Sequence, residues 1–209
     1  MTFNRNYLKS AEGAIASYDY TDIAEGTGVV IFYGFTAKDD TTETFLLSTQ
    51  ASIYSNGVIS SAATTTSGTY VLEVEKDFDI EFNLPQRIKG KGYATITSTY
   101  THNTGAGSMY VHVKLRKESG GVETEIADGQ TAVVNFSAAT VYQTNTVPLT
   151  IATQEHFKKG DILRITVEVY AKQSGGTGSV GFLHDPVNRT YATEDTAQFI
   201  NYIPFVLDI

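Results

Sequence analysis

Phe157-Lys158-Lys159-Gly160-Asp161-Ile162-Leu163-Arg164-Ile165-Thr166-Val167-Glu168-Val169-Tyr170 is the stretch that decides the fold. Gly160-Asp161 reads as a turn, and a strand follows with apolar residues at every second position. Leu163, Ile165, Val167 and Val169 share one face, while Arg164, Thr166, Glu168 and Tyr170 share the other. Side chains alternate across a strand, so such a segment buries one face and wets the other.

The same alternation recurs on both sides of this stretch. Met109, Val111, Val113 and Leu115 share one face of a segment that leads through Ser119-Gly120-Gly121 to Val122, Thr124 and Ile126, a hairpin pattern. Tyr93 to Thr101 places Ala94, Ile96 and Tyr100 opposite a row of threonines. From Tyr70 to Leu84 the apolar series is broken only at Lys76, which predicts a bend there, between sheets. Its other face carries Glu73, Glu75, Asp77, Asp79 and Glu81. Gly28 to Phe35 is apolar on both faces and predicts a strand covered on both sides, in the core or at a subunit contact. Glu43 to Ser48, Ala132 to Phe136 and Val147 to Ile151 add short strands, and Ser55-Asn56-Gly57 marks a hairpin. Phe199 to Ile209 predicts a last strand inside the sandwich. Thr153 to Lys158 predicts one turn of helix.

About ten strands with frequent turns and almost no helix predict an all-β protein. Long crossovers, such as 127–147, favour an antiparallel, jelly-roll-like β-sandwich over a closed barrel. Residues 26–209 form this single domain. Residues 1–25 are too polar for a core and read as an extended N-terminal arm, with a short helix as the alternative.

Composition narrows the function classes. The 209 residues contain no cysteine, which removes thiolate metal sites and cysteine nucleophiles. A formal charge of −8 argues against binding a polyanion over the whole surface, so no nucleic-acid partner is expected. No apolar run reaches the roughly 20 residues that cross a bilayer, and Met1 to Asn6 lacks the pattern of a signal peptide. A soluble chain, without a membrane partner, is expected.

Candidate sites have ordinary readings beside them. His184-Asp185 has acid-base character, yet His-Asp-Pro also initiates turns, and the turn is the expectation. His102, His112 and His156 are scattered without ligand spacing. The acidic row of Tyr70 to Leu84 reads as a solvated face and not as a calcium site. Arg87, Lys89 and Lys91 form a basic group that could meet an acidic neighbour or remain solvated. No catalytic residue, cofactor or metal is therefore expected, and no enzyme. Tyr93, Tyr110 and Tyr170 fall on outward positions and suit either sugar stacking or protein contacts. A carbohydrate-binding module or a tail- or fibre-associated adhesion protein is thus the alternative.

Asp22-Ile23-Ala24-Glu25-Gly26-Thr27-Gly28, running into Ile31-Phe32-Tyr33-Gly34, resembles the opening of small structural proteins of tailed bacteriophages. His184-Asp185-Pro186-Val187-Asn188-Arg189 resembles them too, and Lys158-Lys159-Gly160-Asp161-Ile162-Leu163 is similar to strand starts in jelly-roll virion and trimer-forming domains. The resemblance implies a virion component, of head decoration or cement type, assembled in the host cytoplasm. It implies partners such as the major capsid protein. Tyr7, Leu8, Tyr18, Tyr20 and Ile23 of the arm, with Phe32 and Tyr33, are the expected contact residues of a homo-oligomer, taken as a trimer.

Overall fold

A computed structural model describes residues 16–17, 27–39, 42–50, 58–61, 64–102, 106–137, 140–176, 178–184, 190–191, 195–196 and 199–206. The chain begins with β1 (Ala16–Ser17), β2 (Thr27–Asp39), β3 (Thr42–Ser48), β4 (Val58–Ser60) and β5 (Ser67–Glu81). It continues with β6 (Gln86–His102), β7 (Ala106–Ser119), β8 (Val122–Gln130), β9 (Val134–Ser137) and β10 (Thr140–Phe157). The last elements are β11 (Ile162–Gln173), β12 (Gly178–Leu183), β13 (Thr190–Tyr191), β14 (Asp195–Thr196) and β15 (Phe199–Val206). Among the described residues there is no helix.

The fold is an all-β sandwich, antiparallel except for a single parallel bridge between Leu46 of β3 and Asp79 of β5 and another between Thr66 and Gln173. One layer runs β4-β12-β6-β15-β2-β3, with β10 on the other edge of β6. The second layer is β11-β7-β8, with β9 also on β7. β5 lies alongside β11, to which its side chains bond, and touches the first layer through β3. It therefore links the layers as one unbroken strand, without the bend expected at Lys76. The chain changes layer between β6 and β7, β9 and β10, β10 and β11, and β11 and β12, the wrapping of a jelly roll.

Period-2 alternation explains the core directly. Leu163, Ile165, Val167 and Val169 of β11 are fully buried, and so are Met109, Val111, Val113 and Leu115 of β7. Ala94 and Ile96 of β6 meet them from the first layer, with Val147, Leu149 and Ile151 of β10. Phe78 sits among Phe45, Phe182 and Phe199, with ring centroids 5.5, 6.1 and 4.8 Å away. The break at Lys76 is accommodated within an unbroken β5, because its ammonium lies over the Phe45 ring, 5.0 Å from the centroid.

One local expectation is corrected. Thr153 to Lys158 forms no helical turn, for β10 continues to Phe157 and pairs Glu155, His156 and Phe157 with β6. A bulge between Ile151 and Glu155 absorbs the irregular pattern that mimicked helical spacing. Val58–Ser60 pairs with β12, and the rest of the Ser55-Asn56-Gly57 hairpin expected from sequence lies outside the described residues. Of the arm, Ala16 and Ser17 pair with Val30 and Val29, adding a short strand to β2.

The turn before β11 is a clamp. Gly160 takes φ of +89°, a conformation that side-chain-bearing residues avoid. Its N–H donates to the Phe82 carbonyl at 2.8 Å, and the Phe82 N–H donates to the Asp161 carbonyl at 2.9 Å. The Asp161 carboxylate accepts from the Lys158 N–H at 2.8 Å and the Ser119 hydroxyl at 2.7 Å, with Lys117 Nζ at 3.1 Å. These bonds, the Lys158 N–H foremost, lower its pKa to about 2. A carboxylate depressed in the folded state stabilises above its unfolded pKa and loses that contribution as pH falls through the folded one. Asp161→Ala is expected to cost about 2 kcal/mol at neutral pH, from three lost polar contacts. Urea unfolding should show the difference shrinking between about pH 4 and pH 2, and a constant difference would contradict the clamp.

Candidate functional site

The two outer faces of the sandwich carry the chemistry, and they differ. On the first layer, Ile88 points inward, so strand alternation turns Arg87, Lys89, Lys91 and Tyr93 outward. Lys89 and Lys91 are exposed, and among the described residues neither has a carboxylate within ion-pair distance. His156 stands opposite Arg87 on β10. Arg87, His156 and Lys158 line one depression of about 410 Å3.

Tyr93 continues the row into an aromatic patch. It is 41% exposed and stacks on Tyr202 of β15, with centroids 4.3 Å apart and planes 20° from parallel. Register places Ile31 beside Tyr202, and Tyr33 beside Ile200. Burial first, then Tyr93 and Tyr33 nearby, raises the Tyr202 pKa. The patch is neutral, aromatic and mounted on rigid central strands.

The opposite outer face is acidic and cross-linked. β5 presents Glu73, Glu75, Asp77, Asp79 and Glu81, and β8 presents Glu123, Glu125 and Asp128. Arg164 lies between them. Its Nε and Nη2 donate to Asp79 at 2.8 and 2.7 Å, its Nη2 is 3.1 Å from Glu118, and its Nη1 meets Glu123. Hydrogen bonds donated to Asp79, with the charge of the surrounding carboxylates, raise the Arg164 pKa further against burial. Thr166 donates to Asp77 at 2.6 Å.

Further along β11, Glu168 is 3% exposed. Burial alone would raise its pKa, yet Lys114 Nζ at 2.6 Å and the Tyr170 hydroxyl at 3.1 Å lower it overall. His112 Nδ1 is 3.3 Å from Glu168, and its Nε2 is 2.9 Å from Asp128. Burial, followed by the bond to Glu168, pushes the Tyr170 pKa up to about 12. Glu75, Glu81 and Glu125 remain exposed and take no part in an ion pair among the described residues.

Sequence-predicted residues fall unevenly on this geometry. Tyr7, Leu8, Tyr18, Tyr20 and Ile23 lie outside the described residues, as does Asp185. Phe32 is a correction: it is fully buried and tilts against Phe205 at 6.1 Å, so no partner can reach it. Its neighbour Tyr33 faces the outer patch. His184 is buried at 4% exposure. Tyr110 and Tyr170 stack on each other at 5.1 Å, 11° from parallel, and Tyr70 meets Tyr110 edge-on at 5.0 Å. Each thus has one ring face covered by the other, and both are half-buried. Among the described residues, no cluster of carboxylates and imidazoles is arranged to hold a metal ion.

The acidic row, read from sequence as merely solvated, is half of an inter-strand ion network. The signal was present in Arg164, Lys114 and Arg116, which occupy the wet faces of β11 and β7 beside carboxylates. Only the strand order brings them together.

No protein-family model matches the sequence, and no characterised protein matches it. Solved structures similar to this fold include an aminopeptidase from a marine-sediment Thaumarchaeota archaeon, 9% identical, covering 84% of this chain and 36% of that one, with TM-score 0.46. A CocE/NonD family hydrolase from Staphylococcus aureus is 10% identical, with coverages of 84% and 36% and TM-score 0.45. A structure of infectious bursal disease virus, Gx strain, is 10% identical, covering 93% of this chain and 53% of that one, with TM-score 0.27. The chain spans just over a third of the length of the two hydrolytic proteins. The expectation that the chain is no enzyme is corrected, because two of these similar structures are an aminopeptidase and a CocE/NonD family hydrolase.

Proposed function

We propose that this chain is a structural component of a tailed-bacteriophage virion, of decoration or cement type, that works by associating with itself and with other virion proteins such as the major capsid protein. The observation that carries the reading is the open aromatic patch of Tyr33, Tyr93 and Tyr202 with Ile31 and Ile200. Tyrosine on rigid strands supplies contact area at low entropic cost, and such residues are enriched at interface centres. The arm supports the same reading, because Ala16–Ser17 already extends the sheet edge beside the patch.

Particles purified from producing cells, analysed by mass spectrometry, test this. The chain is expected in stoichiometric amount, and Tyr93→Ser combined with Tyr202→Ser is expected to lower its incorporation at least tenfold without changing its circular dichroism. Absence of the chain from particles, or full incorporation of the double variant, would overturn the proposal.

A further inference from the structure

The two outer faces have opposite charge, and each lacks what the other holds. We propose that copies of this chain stack face to face, the basic, tyrosine-bearing face of one copy lying on the acidic outer face of the next. This rests on the association reading above and names its partner, a second copy.

Three observations carry it. First, the chain is acidic as a whole, at −8, yet Arg87, Lys89 and Lys91 gather on one face with His156 and Lys158. In an ordinary solvated surface the signs would be mixed, and here they are sorted between opposite sides. Secondly, the cations of the acidic face are already engaged. Lys114, Arg116 and Arg164 are paired with carboxylates and Lys172 lies over the Tyr70 ring, which leaves Glu75, Glu81 and Glu125 as its exposed carboxylates without an ion pair among the described residues. Lys89 and Lys91 are their counterparts on the other side, with no carboxylate partner among the described residues.

Thirdly, the area suffices. Four strands of β6, β15, β2 and β3 at about 4.8 Å spacing, over about 30 Å of length, give roughly 600 Å2 in projection. Side-chain relief raises this towards the roughly 800 Å2 per partner of a specific complex. The aromatic patch would form the centre and the charges the rim, the usual anatomy of a protein interface. Arg87, His156 and Lys158 line the depression at one end of this face.

Because the two faces lie on opposite sides of the sandwich, the contact is heterologous. Each copy added leaves one face of each kind open, so the assembly grows as a stack or closes as a ring. Rim charges are screened as salt shortens the Debye length from about 10 Å at 0.1 M to about 3 Å at 1 M.

Analytical ultracentrifugation of the full chain, at low and high salt, is the test. The wild type is expected to form species larger than a dimer at 50 mM salt and to fall towards 22.7 kDa at 1 M. Lys89→Glu with Lys91→Glu should abolish assembly, and so should Glu75→Lys with Glu125→Lys. Mixing the two double variants should restore it, since each then offers the face that the other can bind.

Assembly that survives the acidic-face substitutions, or no recovery on mixing, would overturn the stack. The particle assay separates this failure from that of the wider reading. A chain monomeric in solution but present in virions sinks the stacking alone, and one absent from both sinks the two together.

Discussion

Phe78→Ala is expected to destabilise the fold by about 4 kcal/mol, the range of buried Phe→Ala changes. Phe78 is fully buried at the crossing of β5 with both layers, edge-on to Phe45 and Phe199 and near Phe182. Removing the ring deletes its own burial and leaves three aromatic neighbours without a packing partner. β12 and β15, which carry Phe182 and Phe199, are paired on both sides and cannot collapse into the space, so the cavity persists. For a chain of this size the loss should lower the melting temperature by about 10 °C. Calorimetry beside Leu72→Ala, at a half-open site of the same strand, checks the assignment. Equal effects at the two positions would show that Phe78 is not the hub described.

Arg164→Ala is expected to cost about 2 kcal/mol at neutral pH, the scale of hydrogen bonds to charged groups. Its guanidinium is held between Asp77, Asp79, Glu118 and Glu123, and its side chain is only 17% exposed. Without it, four carboxylates from three strands are left facing one another without the cation they share. Urea unfolding beside Arg116→Ala, whose ion pair among the described residues reaches only Glu123, checks the assignment. Equal losses at the two positions would mean that the network around Arg164 holds little.

Much of this architecture was legible before the structure. The faces of β7 and β11 were readable because a buried strand face tolerates few substitutes for Val, Ile and Leu. Gly120-Gly121 and Gly160-Asp161 located turns for a similar reason, since few residues accept the positive φ of these glycines. Phe32 was misassigned because an all-apolar run does not reveal which side meets the core, and Tyr33 and Phe32 exchange places with a one-residue shift. The segment 153–158 failed for a related reason, because a bulge disguises alternation. The ion network of Arg164 and Glu168 was invisible for another. Its members come from β5, β7, β8 and β11, and neighbours in a sheet are set by topology, which local pattern does not encode. The pairing of Tyr110 with Tyr170 lies across 60 residues and is legible only once β7 and β11 are known to be adjacent.

β15 lies between β6 and β2, paired to both. Its insertion has a consequence for how the protein comes to be made. Until residues 199–206 have left the ribosome, β6 and β2 each carry an open edge of backbone donors and acceptors. Both strands are synthesised long before their common partner, so the first layer closes last and around a strand that arrives late. Pairings of such sequence separation form slowly, and open edges in the interval can pair with other nascent chains. Crowded translation of many copies on neighbouring ribosomes is where this interval would matter most.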